Sequence, residues 1–214
     1  MPKLVDHDAR RTEIAQATWA AVQEIGLERL RLRDIADEVG FTTGVFAHYF
    51  RDKDSVLRYA FNLAYQQIQN DISQKNENIE SGLERLKNAL IVLVPDKKRP
   101  ETVAFISMCF SIRGINDPLL IADYKKKRRG YSERLKSYLN DAINKDEIAA
   151  TQPTEDMLDF IFAVLDGVCV AGMLNPDGFS KTRGLRIIET TIKRLSVDGA
   201  KEIAPSRLIK GIKK

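Results

Sequence analysis

At 214 residues, 43% hydrophobic and 30% charged, the chain is long enough to bury a substantial core as one large domain or two small ones. Its net charge of +4 points only weakly to an anionic partner, and two cysteines far apart, without neighbouring histidines, argue against a disulfide framework. No leading apolar run is long enough for a signal peptide, and the most apolar stretch, residues 157–174, carries Asp159 and Asp166; the expectation is a reduced, cytoplasmic protein with no membrane partner.

Residues 1–8 are polar, with Lys3, Arg10 and Arg11 placed to reach a phosphate backbone. A first helix is predicted over about 7–25, because Ile14, Ala17, Thr18, Ala21, Val22 and Ile25 recur at three- and four-residue steps. Gly26 stops it. Trp19, the only tryptophan, lies beside that stripe and is read as core. Leu27, Leu30 and Leu32 lead into a second short helix, about 33–39, with Ile35, Ala36 and Val39 on one face. Gly40 ends it, since a residue without Cβ can take a left-handed C-terminal cap. Thr42 is then an N-cap for a helix over about 43–49 that buries Phe46 and Phe50.

Two short helices around a tight turn make a helix-turn-helix, and Ala36 supplies the small side chain that a steep crossing needs. A helical hairpin without any ligand fits the same features. The first 60 residues hold nine Lys and Arg against ten Asp and Glu, so an argument for nucleic acid rests on geometry rather than charge.

A long helix over about 54–73 follows, with Leu57, Phe61, Ala64, Ile68 and Ile72 on one side. Polar residues 74–80 interrupt it, and Leu83, Leu86, Leu90, Leu93 and Val94 mark the next helix. PDKKRP, residues 95–100, is a surface loop. Phe105, Met108, Cys109 and Ile112 define another amphipathic helix. Asn116, Asp117 and Pro118 start a helix reaching Asn144, with Tyr124, Tyr131 and Tyr138 seven residues apart. Its run KKKRR, residues 125–129, spans more than one turn and is expected to be a solvated face. Residues 154–174 are apolar nearly all round, which demands cover from a second copy of the chain as well as from their own domain, and Gly167 and Gly172 suggest close packing there. After the turn NPDG, Leu185, Ile188, Ile192 and Leu195 define a last helix. In the basic tail, 198–214, Ile203, Leu208, Ile209 and Ile212 would either dock or stay disordered.

The expected fold is therefore all-α: a helix-turn-helix domain over 1–53, a longer helical domain over 54–197, and the tail. Enzyme chemistry finds no support. There is no HExxH, P-loop or GxSxG, both histidines, His7 and His48, lie in the N-terminal unit, and no metal-ligand cluster or cofactor motif occurs.

Residues 40–57, GFTTGVFAHYFRDKDSVL, closely resemble the signature of the TetR family of bacterial transcriptional repressors, through Gly40, Gly44, His48-Tyr49-Phe50, Lys53 and Leu57. RGINDPLLIADYKKKRRGYSERL and LDGVCVAGMLNPDGF look more weakly like the C-terminal domain of the choline-responsive repressors of betaine synthesis. The resemblance implies a homodimer on a double-stranded DNA operator, controlled by a small-molecule inducer, and it assigns ligand binding and dimerisation to the helical domain over 54–197. It implies DNA contacts from Thr42, Thr43 and Gly44 at the start of the recognition helix, from Val45, Ala47 and His48 projecting outward, and from Arg33 and Tyr49 to phosphates. Lys53 opposes the macrodipole at the start of the next helix, a penalty an incoming phosphate would reverse, although a solvated lysine fits equally. Ala47 departs from the family, which commonly has an aromatic there; alanine can still meet a thymine methyl.

For the inducer, the candidates are Phe105, Met108, Cys109, Tyr124, Phe162 and Cys169, with Arg113 or Asp166 as polar anchors, each also readable as ordinary core or surface. Arg113 would favour an anion and Asp166 a cation. The betaine-type repressors tend to carry a tryptophan near positions 168 and 169; Val168 and Cys169 stand here, which weakens the case for choline. The dimer is expected to pack helices 154–174 and 182–196 as a four-helix interface. Two recognition helices would then read a pseudo-palindrome with half-sites about one helical turn, roughly 34 Å, apart. A scaffold protein whose helix-turn-helix touches only protein, and an activator of the same family, are the competing expectations.

Overall fold

The computed structural model describes residues 6–96, 118–149, 152–175 and 177–197. Among them are eight helices: α1 (His7–Ile25), α2 (Leu32–Glu38), α3 (Thr43–Ala47), α4 (Lys53–Lys75), α5 (Gly82–Val92), α6 (Pro118–Asn144), α7 (Thr154–Leu174) and α8 (Lys181–Leu195). No strand occurs among the described residues; one isolated bridge pairs Ile148 with Ser196. The helix expected around Phe105, the cap at Asn116 and the tail 198–214 lie outside them.

α1 begins where the Asp6 carboxylate accepts from the backbone N–H groups of Asp8 and Ala9, and it buries Ile14, Ala15, Trp19, Ala21 and Val22. Thr18 is also fully buried, its hydroxyl donating to the Ile14 carbonyl at 2.7 Å. α4 is the central element. Asp52 caps it in a reciprocal box with Ser55, and the bond from the Ser55 N–H holds the Asp52 carboxyl below its usual range, with Arg51 adding to the effect. The expected stripe on α4 is buried, joined by Val56 and Ala60. α4 packs on α1 and on α5, its start bonded through Lys53 to the Leu27 carbonyl after α1 and its last carbonyl, at Lys75, accepting from Asn88 of α5, while α5 also meets α6 and α8, and α7 contacts both α6 and α8.

Gly82, at the first turn of α5, is set by close approach: a Cβ there would overlap Ala142 N and come 2.7 Å from the Tyr138 carbonyl oxygen. α5 and α6 therefore touch backbone to backbone at this point.

Several expectations are corrected. α3 ends at Ala47 rather than near Tyr49, because His48 and Tyr49 bond only three residues back, to Val45 and Phe46, in a tightened turn that delivers Phe50 to the core. α4 continues two residues past the expected end. The run 125–129 is not one solvated face: the Lys127 ammonium lies 5.1 Å from the Phe61 ring centroid, and burial lowers its pKa. Gly172 does pack closely, with Pro95 3.1 Å from a notional Cβ, but Gly167 has nothing within 4 Å in its own chain.

Candidate functional site

The helix-turn-helix is held from beneath. Phe46 and Phe50 are buried with ring centroids 5.9 Å apart, and Phe50 meets the Tyr59 ring edge-on at 5.5 Å, which fastens α3 to α4. Ile35 and Ala36 of α2 fill the space between α3 and α1. Gly40 makes the turn at φ +67, and the Thr42 hydroxyl caps α3 by accepting from the Val45 N–H at 3.3 Å. The side that remains is solvent-facing: Thr42, Thr43, Gly44, Val45, Ala47 and His48 are all exposed, Val45 to 42%. Arg33 is exposed on α2.

Two of the expected DNA contacts have protein partners. Tyr49 is half-buried, its ring 5.7 Å from His7 and 6.2 Å from Phe41. The Lys53 ammonium donates to the Leu27 carbonyl at 2.6 Å, tying the start of α4 to the loop after α1. Arg11 emerges as a support that spacing did not suggest: its guanidinium lies 5.7 Å from the Phe50 centroid and donates to the Tyr49 carbonyl at 3.5 Å. The pairs His7–Tyr49 and Arg11–Tyr49 each join residues about forty apart, and no local pattern carries such a signal.

Among the expected inducer contacts, Phe105, Met108, Cys109 and Arg113 lie outside the described residues. Tyr124 is half-buried on α6. Phe162 and Cys169 are core residues of α7. Phe162 meets Tyr131 edge-on at 6.0 Å, and the Cys169 thiol faces the Leu93 carbonyl at 3.7 Å. Burial, with a smaller push from Asp166, raises that thiol to about 12, so it stays protonated and inert. Asp166 is exposed and accepts two bonds from Arg128, at 3.0 and 2.8 Å. A separate cleft of about 770 Å³ opens between α1, α4 and α5, bordered by Trp19, Ala64, Ile68, Ile91 and Asp96, and Tyr124, Phe162, Asp166 and Cys169 are not among the residues that border it. No group of metal-binding side chains forms among the described residues.

α7 is long and apolar enough to cross a membrane, yet Met157, Leu158, Ile161, Leu165 and Val168 on it are core residues. The profile of bacterial regulatory proteins of the tetR family matches residues 14–60, and that of the BetI-type transcriptional repressor C-terminal domain matches residues 82–197, more than half the chain. The chain belongs to the TetR family. Over 94% of its length it is 27% identical to the HTH-type transcriptional regulator PksA of Bacillus subtilis, covering 97% of that protein. It is 26% identical to the regulator BetI of Vibrio atlanticus, with 88% of this chain and 92% of that one aligned. A solved transcriptional regulator from Saccharomonospora viridis, in complex with choline, superposes with a TM-score of 0.78 at 16% identity over 88% of this chain and 98% of its own. The ketosteroid regulator KstR2 of Mycobacterium tuberculosis does so with a TM-score of 0.68 at 18% identity, over 86% and 95%. As a TetR-family protein with this site, the chain is a helix-turn-helix transcriptional regulator and not an enzyme.

Proposed function

We propose that this TetR-family regulator is a dimeric repressor that grips a pseudo-palindromic operator and is released by a small-molecule inducer. The observation that carries the reading is a pair of unpartnered surfaces. One is the face from Thr42 to His48, held rigidly by Phe46 and Phe50 and made of small side chains able to enter a major groove. The other is the outer side of α7, where Phe160 is 44% and Leu174 78% exposed and Gly167 has open space. A single head with balanced charge binds DNA weakly, and pairing through α7 and α8 supplies the second head.

On this reading Thr43, Val45 and Ala47 meet base edges, with the Val45 and Ala47 methyls suited to thymine. Thr42, Gly44 and His48 flank them, and Arg33 and Tyr49 hold phosphates. Lys53 fixes α4 against Leu27 and adds a phosphate contact. Residues 1–53 form the reading head and 54–197 the ligand-binding and dimerisation body. The inducer binds in that body near Tyr124, Phe162, Asp166 and Cys169, and favours a head spacing that no longer fits the operator. The BetI-type profile and the choline-bound neighbour support an effector site among these helices.

Electrophoretic mobility shift with the protein's own upstream region tests the proposal. The expected result is sequence-selective binding that weakens steeply with salt; binding indifferent to sequence, or none, overturns it.

A further inference from the structure

Two groups that recognise cations stand one turn apart on α7: the ring face of Phe162 and the carboxylate of Asp166. Both are engaged by one side chain from α6. The Arg128 guanidinium carbon lies 3.7 Å from the Phe162 centroid, in direct contact with the ring, and its two terminal nitrogens donate to the two Asp166 oxygens at 3.0 and 2.8 Å. The platform is stiff. Tyr131 packs edge-on against Phe162, and its own buried hydroxyl donates to the Ala89 carbonyl at 3.1 Å. A ring face, a carboxylate and a buttressing aromatic are what a quaternary ammonium or guanidinium compound would need, and the protein's own cation already sits there.

We propose that Arg128 determines effector specificity by filling this cation site from within, so that the wild-type protein does not accept cationic ligands at this place. The inference rests on the proposed function only in treating this region as an effector site; the occupancy itself does not depend on DNA binding. The physical grounds are competition and charge. An intramolecular cation acts at an effective concentration of about millimolar or more, which a free cation of ordinary cation–π affinity must outcompete. The competitor must also break a bidentate ion pair and approach a guanidinium of like charge. Once Arg128 is removed, the ring face and the Asp166 carboxylate have no occupant from this residue, and both remain to face a small quaternary ammonium head.

Choline chloride and guanidinium chloride, titrated separately into the full-length protein by isothermal calorimetry, are the probes. Wild-type protein should show no saturable binding at this site. Arg128→Ala and Arg128→Gln should each bind choline at least about tenfold more tightly than wild type. Adding Phe162→Leu or Asp166→Asn to either variant should remove the gain. Circular dichroism establishes that each variant is folded, and Arg128→Gln retains part of the aliphatic stem if alanine proves disruptive. Saturable choline binding by the wild type that Phe162→Leu abolishes would overturn the proposal. So would folded Arg128 variants without the gain, or a gain that survives both second substitutions. None of these readouts involves the operator, so the repressor reading stands or falls separately.

Discussion

Tyr131 donates its buried hydroxyl to the carbonyl of Ala89 at 3.1 Å, bonding the middle of α6 to the last turns of α5. Burial raises its pKa well above the ordinary 10.0, so the phenol remains protonated in the folded protein. The unfolded chain loses that proton above about pH 10, whereas the folded one keeps it; this residue's contribution to stability is therefore complete below pH 10 and declines as the pH rises further. Tyr131→Phe should lower stability by about 1 to 2 kcal/mol at neutral pH by leaving the carbonyl without this donor, and should flatten the alkaline limb of the profile. Denaturant melts of both proteins between pH 7 and 11 check this; parallel alkaline limbs would contradict it.

Gly82→Ala should be among the most damaging single-atom-scale changes in the body. The added methyl collides with the backbone of α6 at Tyr138 and Ala142, and backbone cannot turn aside as a side chain can. A loss of about 1 to 3 kcal/mol is expected, visible as a lowered melting temperature. A neutral or stabilising result, as helix propensity alone would give, would mean that α5 and α6 are spaced further apart.

At the reading head, charge and shape separate into two measurable effects. Arg33→Ala should weaken binding to every DNA sequence alike and reduce the slope of log affinity against log salt by about 0.9. Val45→Ala should leave that slope intact and change which bases are preferred at one or two positions, with about 1 kcal/mol of discrimination lost. Competition assays against randomised operators distinguish them.

Phe160→Asp tests the outer side of α7. Phe160 is exposed in a single chain, so the substitution should leave the fold and its helicity unchanged. Analytical ultracentrifugation should show a shift from dimer to monomer, accompanied by at least a tenfold loss of operator affinity, roughly the advantage of binding two linked heads. A variant that stays dimeric would place the interface elsewhere.

The long helices were legible because their signals are local. α1 and α7 begin and end where their own apolar patterns predicted, and on α4 the stripe Leu57, Phe61, Ala64, Ile68 and Ile72 is buried as expected, because each apolar residue repeats before the pattern can drift. The exposed row from Thr42 to His48 was legible for the same reason, since Phe46 and Phe50 settle which side of α3 faces inward. What escaped depends on partners remote in sequence. Arg128 is one of five neighbouring cations in a polar run, and only Phe162 and Asp166, on another helix, distinguish it. Lys53 read equally as a phosphate ligand or a solvated lysine, and its bond to the Leu27 carbonyl, 26 residues back, was not visible from spacing. Gly167 finds no close neighbour within its own chain, so the packing expected of it would have to come from a second copy, which the pattern of one chain cannot display.

α4 has a mechanical consequence. Twenty-three residues capped at both ends form a rod roughly 35 Å long, bonded at its start to the Leu27 carbonyl and at its end to Asn88 of α5. A rod of that length acts as a lever: a tilt of about 6° at the α5 end carries the far end through about 3.5 Å, comparable to the rise of one base pair. On the proposed function, repacking of a side chain or two against the body would be enough to put a reading head out of phase with the groove, with no need for any helix to unfold.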